Sequence, residues 1–455
     1  MLDLLIINGT CPDFEAGEMI PKNIGLKNGK IAWLGTVGEP VPEAGEVIDA
    51  AGKVVTPGFI DIHMHEENFA GEGKEYSISQ MMLDMGVTTA VGGNCGVQYQ
   101  PLSEFKAILE EKGGAPVNYV MLAGYNSYRT GLGIGRYEHA SQEQMESLKA
   151  SMEKELAEGA WGISFGIEYD PGITYEEMLF ACGASDNPDH LMAAHYREDC
   201  IGMIDPIEEM VKLSSEIPQK FQISHLSSCS AMGMMEASLN CINKAMQTNP
   251  KLNYDTYPYN AFSTHMGSAV FEDGCLEGWG KDYDSILLTD EPYKNVYCTE
   301  EIFRKVREEY PDMLAVAFVM NEDEIAAAIA NKNGMVASDA IINHGNGHPR
   351  AAGTFPRVLG KYVREDKVLP MVDALRKMTL EPAKRLGLEA VKGRIAVGAD
   401  GDLVIFNPQT ITDRADFTHL EAPIGIDYVL IGGQKAIADG KKVNDRLGRF
   451  LPFNK

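Results

Sequence analysis

Val54-Val-Thr-Pro-Gly-Phe-Ile-Asp-Ile-His-Met-His65 reads as an apolar strand that ends on two histidines. Residues two apart on an extended strand point to the same side, so His63 and His65 can reach one ion. An HxH pair often arises by chance, but here a buried strand delivers it. Outward from this stretch, the middle of the chain alternates apolar strands with amphipathic helices, the pattern of a parallel sheet with crossover helices. Eight strands are expected, ending near His63, Gly93, Gly124, Gly166, His195, His225, Tyr257 and Asp339, with helices among them at 78–86, 141–159 and 206–217. Eight such repeats predict an α/β fold, a (β/α)8 TIM-type barrel over residues 57–394, since that fold takes ~250 residues plus insertions. The stretch from about 270 to 329 is too long for a crossover and is read as an inserted subdomain placed to act as a lid.

Both ends of the chain follow a different grammar. Short strands at 3–7, 23–27 and 30–34, the last two around an Asn28-Gly29 hairpin signal, are answered by strands at 402–406, 428–431 and 435–441. Residues 1–56 and 395–455 are therefore expected to build one small β-sandwich.

The bulk numbers restrict the partners. The 455 residues are 44% hydrophobic and 23% charged, a globular composition. A formal charge of −26 repels phosphate, so neither nucleic acid nor an anionic membrane is an expected partner. No apolar run reaches the ~18 residues of a membrane span, and the first residues lack the basic n-region of a signal peptide. Eight scattered cysteines without CxxC pairs fit reduced thiols in a cytoplasm. The expected partner is a small-molecule substrate; a homo-oligomer is left open.

Chemistry collects at the strand ends. His195 stands in Ala193-Ala-His-Tyr-Arg, His225 in Ile223-Ser-His-Leu-Ser, and Asp339 in Val336-Ala-Ser-Asp-Ala. Any one of these could be a hydrogen-bonded core residue. Four of only ten histidines at strand ends, with an aspartate at the last, point instead to one or two divalent ions, zinc by donor type. Cys95, in Gly92-Gly-Asn-Cys-Gly, is either buried filler or a ligand; the surrounding glycines place it at the mouth rather than in the core, which favours a thiolate ligand. Glu168 stands at the end of strand four, either as a carboxylate that bridges two ions or as an acid outside their shell. Such an ion acidifies water towards ~7 and polarises a carbonyl. Asp339 would take the proton of the attacking water and pass it to the leaving nitrogen, making it the catalytic residue.

The chain resembles the N-acyl-D-amino-acid deacylases (D-aminoacylases) of the amidohydrolase superfamily. The matching segments are Thr56-Pro-Gly-Phe-Ile-Asp-Ile-His-Met-His, Gly93-Asn-Cys-Gly, Gly162-Ile-Ser-Phe-Gly-Ile-Glu-Tyr-Asp-Pro-Gly, Asp255-Thr-Tyr-Pro-Tyr and His348-Pro-Arg-Ala-Ala-Gly-Thr-Phe. The resemblance implies one ion on Cys95, His195 and His225, and a second, weaker one on His63, His65 and Asp339. It also implies that Arg350 and Tyr257 meet the substrate carboxylate, which a guanidinium can grip through two parallel hydrogen bonds; the alternative for Arg350 is a salt bridge that orders its loop. Preference for the D enantiomer rests on the resemblance alone. Many barrel amidohydrolases bridge two metals with a carboxylated lysine on strand four; strand four here has none, leaving the bridge to Cys95 or Glu168. Two further departures, Ser227 where a lysine is usual and Tyr125 where a histidine follows the glycine, bear on the substrate and not on the metal. A cyclic-amide hydrolase resembling hydantoinases or dihydroorotases is the alternative, against which the missing lysine and the GNCG segment count. A non-catalytic scaffold is opposed by the full set of six ligand residues.

Overall fold

The computed structural model describes residues 1–69 and 75–454. The opening stretch does not form one strand. Val54–Pro57 and Phe59–Asp61 are parted at Gly58 and belong to different sheets. A Cβ on Gly58 would lie 2.1 Å from Thr88 Oγ1, so the chain can pass this close to strand Val87–Gly92 only with glycine there.

Val54–Pro57 pairs antiparallel with Leu403–Phe406 and is the seam of a nine-stranded sheet built from both chain ends. Leu2–Asp13, Glu18–Lys27, Lys30–Gly35 and Ala44–Asp49 lie on one side of that seam. Ile426–Ile431, Gln434–Ala438 and Lys441–Lys442 extend it beyond Leu403–Phe406. Leu4, Ile6, Ile24, Leu26, Val55, Ile405 and Leu430 make its core. Asn28 and Gly29 both take positive φ, the backbone of a tight hairpin, and Lys27 pairs with Lys30 across it.

Between Phe59 and Val336 two groups of strands run parallel. Phe59–Asp61, Val87–Gly92 and Asn118–Met121 form one group. Ala123–Gly124, Gly162–Gly166, Leu191–His195, Lys220–Ile223, Leu252–Thr256 and Met335–Val336 form a second, in that order. Nearly every residue of these strands is buried, as strands covered on both faces require. Only Leu122 separates Asn118–Met121 from Ala123–Gly124. At the far edge Met64 and Ala340 form a parallel bridge, with His65 N donating to Ala340 O (2.9 Å) and Asp339 N to His63 O (2.8 Å).

The intervening helices start and pack for local reasons. Gln142–Ala157 begins at Ser141, whose hydroxyl accepts from Gln144 N while the Gln144 side chain returns to the Ser141 N–H, and it buries Leu148 and Met152. Asp205–Glu216 carries Pro206 in its first turn and buries Ile207, Met210 and Leu213, one apolar stripe. After Leu252–Thr256, strands Phe262–His265, Leu314–Ala317, Ile286–Leu288 and Val296–Tyr297 form a separate antiparallel sheet in that order. Among the described residues no helix is long and apolar enough to cross a membrane.

Three strands stop earlier than their sequence suggests: at Asp61, Ile223 and Val336, two or three residues before His63, His225 and Asp339. The reason is local. His225 (φ 31°) and Asp339 (φ 50°) are left-handed, a conformation that cannot continue a strand.

Candidate metal centre

Cys95, His225 and Asp339 are all non-glycine residues with positive φ. Each such residue costs roughly 1–3 kcal/mol and persists only where its surroundings over-determine it. Those surroundings are visible. Around Cys95 (φ 52°), a Cβ on Gly93 would lie 2.0 Å from Leu122 O, and one on Gly96 would lie 1.8 Å from Asn126 Oδ1. The buried Glu66 carboxylate accepts from Gly93 N (2.8 Å) and Tyr99 N (3.0 Å), and Ser164 Oγ accepts from Gly96 N (2.9 Å). Asp61 Oδ1 accepts from His63 N (3.2 Å) and Ser338 N (3.0 Å), stapling the first and last parallel strand ends together.

The six sequence-predicted ligand residues converge. His63, His65, Cys95 and Asp339 place one donor atom each within 4.8 Å of one another, and so do Cys95, His195 and His225. Among the described residues Cys95 is common to both sets. Its Sγ lies 3.3 Å from His63 Nε2 and 3.3 Å from His225 Nε2, while Asp339 Oδ1 lies 3.4 Å from both His63 Nε2 and His65 Nε2. Tetrahedral bonds of about 2.0 Å to nitrogen and 2.3 Å to sulfur set donor–donor edges of roughly 3.3–3.5 Å, so the spacing fits an ion.

Three of the four imidazoles have a partner beside one nitrogen, whereas the buried Nδ1 of His65 has none. His63 Nδ1 lies 3.2 Å from Asp255 Oδ1, an atom that also accepts from His225 N (2.8 Å). Ser228 Oγ lies 2.7 Å from His225 Nδ1. Glu168 Oε2 is 2.5 Å from His195 Nε2, and His195 Nδ1, buried, has no hydrogen-bond partner. Metal-binding histidines are held in this way, one nitrogen for the ion and the other for an orienting partner. Glu168 groups with His195 and Cys229 and belongs to neither ligand set.

The electrostatics agree with a thiolate–carboxylate centre. Burial pushes the Cys95 thiol up, but His63 and His225 outweigh it and hold the group well below the usual thiol range. Burial likewise opposes ionisation of Asp339, and Arg350 with His225 and His65 keeps its carboxyl well below the usual carboxylate range. The cause is close: Arg350 Nη1 lies 2.9 Å from Asp339 Oδ2, and Arg350 Nη2 donates to Ser263 O (3.1 Å). Tyr257 sits behind this pair, its ring 4.8 Å from the guanidinium carbon and its hydroxyl 3.9 Å from Met320 Sδ. It lines neither cavity at the centre.

Two cavities meet the donors. One of about 460 Å³ is lined by His65, Cys95, Tyr169, Asp339, Arg350 and residues of the antiparallel sheet, Ser263 to His265 among them. That is the size of a small-molecule site. A second, of about 20 Å³, lies against Glu168, His195, Asp199 and Cys229. The anchors Glu66, Asp255 and Ser228 are functional residues that the sequence did not single out. Asp255 carried a signal, an acid one residue before the end of strand Leu252–Thr256.

The sequence profile of the amidohydrolase family matches residues 46–140 and 320–437 of this chain. Its likeness to the D-aminoacylases runs end to end. The D-aminoacylase of Alcaligenes xylosoxydans xylosoxydans is 28% identical over 478 residues, covering 99% of this chain and 97% of that protein. A solved D-aminoacylase structure superposes with a TM-score of 0.88 at 28% identity, covering 99% of this chain and all of the other. An N-acyl-D-glutamate deacylase from Bordetella bronchiseptica, solved with zinc and a phosphonate mimic of the tetrahedral intermediate, gives 0.87 at 26% identity, with 99% of both chains covered.

Proposed function

We propose that this chain is a metal-dependent amidohydrolase that cleaves a linear amide, deacylating an N-acyl-D-amino acid to a carboxylate and the free D-amino acid. The observation that carries the reading is the pair of donor sets sharing Cys95 at the foot of a substrate-sized cavity. Cys95, His195 and His225 would hold one zinc ion, and His63, His65, Cys95 and Asp339 a second. The chemistry an ion supplies there is acidification of the attacking water and polarisation of the scissile carbonyl.

The chain's own residues do the rest. Asp339 receives the proton of the attacking water and returns it to the leaving nitrogen. Arg350 keeps Asp339 ionised and aimed. The same guanidinium faces the cavity and is the contact for the substrate carboxylate, with Tyr257 stacked behind it. Cys95 is buried and lines the larger cavity.

For the architecture we propose a closed (β/α)8 barrel over 57–394, a composite β-sandwich from 1–56 and 395–455, and an insertion over about 270–329 that covers the site. The Met64–Ala340 bridge and the run through Leu122 support closure, because they join the two groups of parallel strands at both edges. Pro311 and Asp312, which lie within that span and line the larger cavity, support the lid. We place the enzyme in the cytoplasm, where its eight free thiols would stay reduced.

A panel of N-acetyl-D-amino acids, their L enantiomers and a hydantoin, run with zinc and again after chelation, tests the function. Turnover of the D substrates, lost on chelation and restored by zinc, is expected. Turnover of the hydantoin alone would make the enzyme a cyclic-amide hydrolase, and turnover that survives chelation would remove the metal from the reaction.

A further inference from the structure

His195 is the one ligand histidine whose anchor is a carboxylate at 2.5 Å, and Glu168 is that anchor. Glu168, His195 and Cys229 also place donor atoms within 4.8 Å of one another, with Cys229 Sγ 3.6 Å from His195 Nε2. That cluster could be taken for a third cation position. Its shortest edge argues otherwise: two ligands of one tetrahedral ion stand roughly 3.3 Å apart at bond lengths of about 2.0 Å, and 2.5 Å is a hydrogen-bond distance. The contact places the ring proton on Nε2 and leaves the lone pair on Nδ1, the buried nitrogen without a partner.

The neighbourhood fixes the orientation. The cavity of about 20 Å³ beside this contact has room for one water, and Asp199 forms part of its wall. Asp199 is itself pinned by Trp279 Nε1 (2.7 Å), so it does not swing in to replace Glu168. Tyr169, next in sequence to Glu168, packs edge-on against the His195 ring at 4.6 Å between centroids and blocks its rotation.

We infer that Glu168 is a positioning residue: by holding the Nε2 proton of His195 it presents Nδ1 of that ring to the ion, whereas His63 and His225 present Nε2. The inference rests on the assignment of an ion to Cys95, His195 and His225 made above. It replaces a bridging role for Glu168, whose carboxylate is committed to the far nitrogen of the ring. It also accounts for a glutamate at the end of strand four without requiring it to touch an ion or the substrate.

The test uses zinc as the probe and no activity measurement. Zinc affinity is measured by competition with a chromogenic chelator for wild type, Glu168→Ala and Glu168→Gln. Loss of an outer partner of a metal-bound histidine weakens binding 10–100-fold, so about that loss is expected in Glu168→Ala. Glu168→Gln keeps a carbonyl acceptor for the Nε2 proton and should recover most of the affinity, and the ring-nitrogen signals of His195 separate this role from packing alone. Histidine ¹⁵N spectra of the zinc-loaded protein should show His195 protonated on Nε2 in wild type and Glu168→Gln, with the Nδ1-bound form disturbed in Glu168→Ala. Unchanged affinity in Glu168→Ala, or zinc on Nε2 of His195 in wild type, overturns the inference while leaving the metal centre in place. A wild type that takes up no zinc overturns the ion assignment and this inference together.

Discussion

Asp339→Asn is expected to keep bound metal and lose turnover. A positioned acid–base group contributes about 10²–10⁴-fold, and kcat should fall by that order. Cys95, His195 and His225 are untouched, so metal analysis should still find an ion in the variant. The substitution has a second consequence, because Arg350 is buried against Asp339 at 2.9 Å. Removing the negative partner of a buried pair leaves an uncompensated charge, a destabilisation of about 3–5 kcal/mol. Asp339→Asn should therefore melt at lower temperature than wild type, and kinetics belong at a temperature where both are folded. Near wild-type turnover in a folded variant would remove Asp339 from the chemistry.

Cys95→Ala is expected to behave in the opposite way. Its Sγ is the donor common to both sets, 3.3 Å from an imidazole of each. Without it zinc affinity should drop by more than the ~100-fold upper range for an outer partner, and activity should fall with metal content. The two variants separate cleanly under excess zinc. Cys95→Ala should regain part of its activity as the weakened sites refill, and Asp339→Asn should regain none. A Cys95→Ala protein with wild-type metal stoichiometry would return the thiol to the role of buried filler.

The parts of this centre that were legible in the sequence are those tied to strand ends. His63, His65, His195, His225 and Asp339 follow apolar runs short enough to be strands, and Cys95 is marked by glycines whose space is taken by Leu122 O and Asn126. The left-handed backbone at Cys95, His225 and Asp339 was not legible, because only glycine advertises that conformation in a sequence. Nor were the anchors: Asp255 reaches His63 from nearly two hundred residues away, and nothing local to either marks the contact. Arg350 is the instructive case. Its sequence context suggests a substrate contact, and its guanidinium is already engaged by Asp339 and Ser263 O, so one side chain serves the base and faces the cavity together. The nine-stranded sheet was visible as strand-like ends, whereas the break at Gly58 that splits the deciding strand between two sheets depends on Thr88, a neighbour only in space.

Anomalous diffraction at the zinc edge, from crystals of protein purified without added metal, addresses the centre most directly. The account predicts a peak about 2.0–2.3 Å from Cys95 Sγ, His225 Nε2 and His195 Nδ1, with a second, weaker peak among His63, His65, Cys95 and Asp339 on zinc addition. Crystals soaked in zinc that show no peak within bonding distance of Cys95 would contradict it.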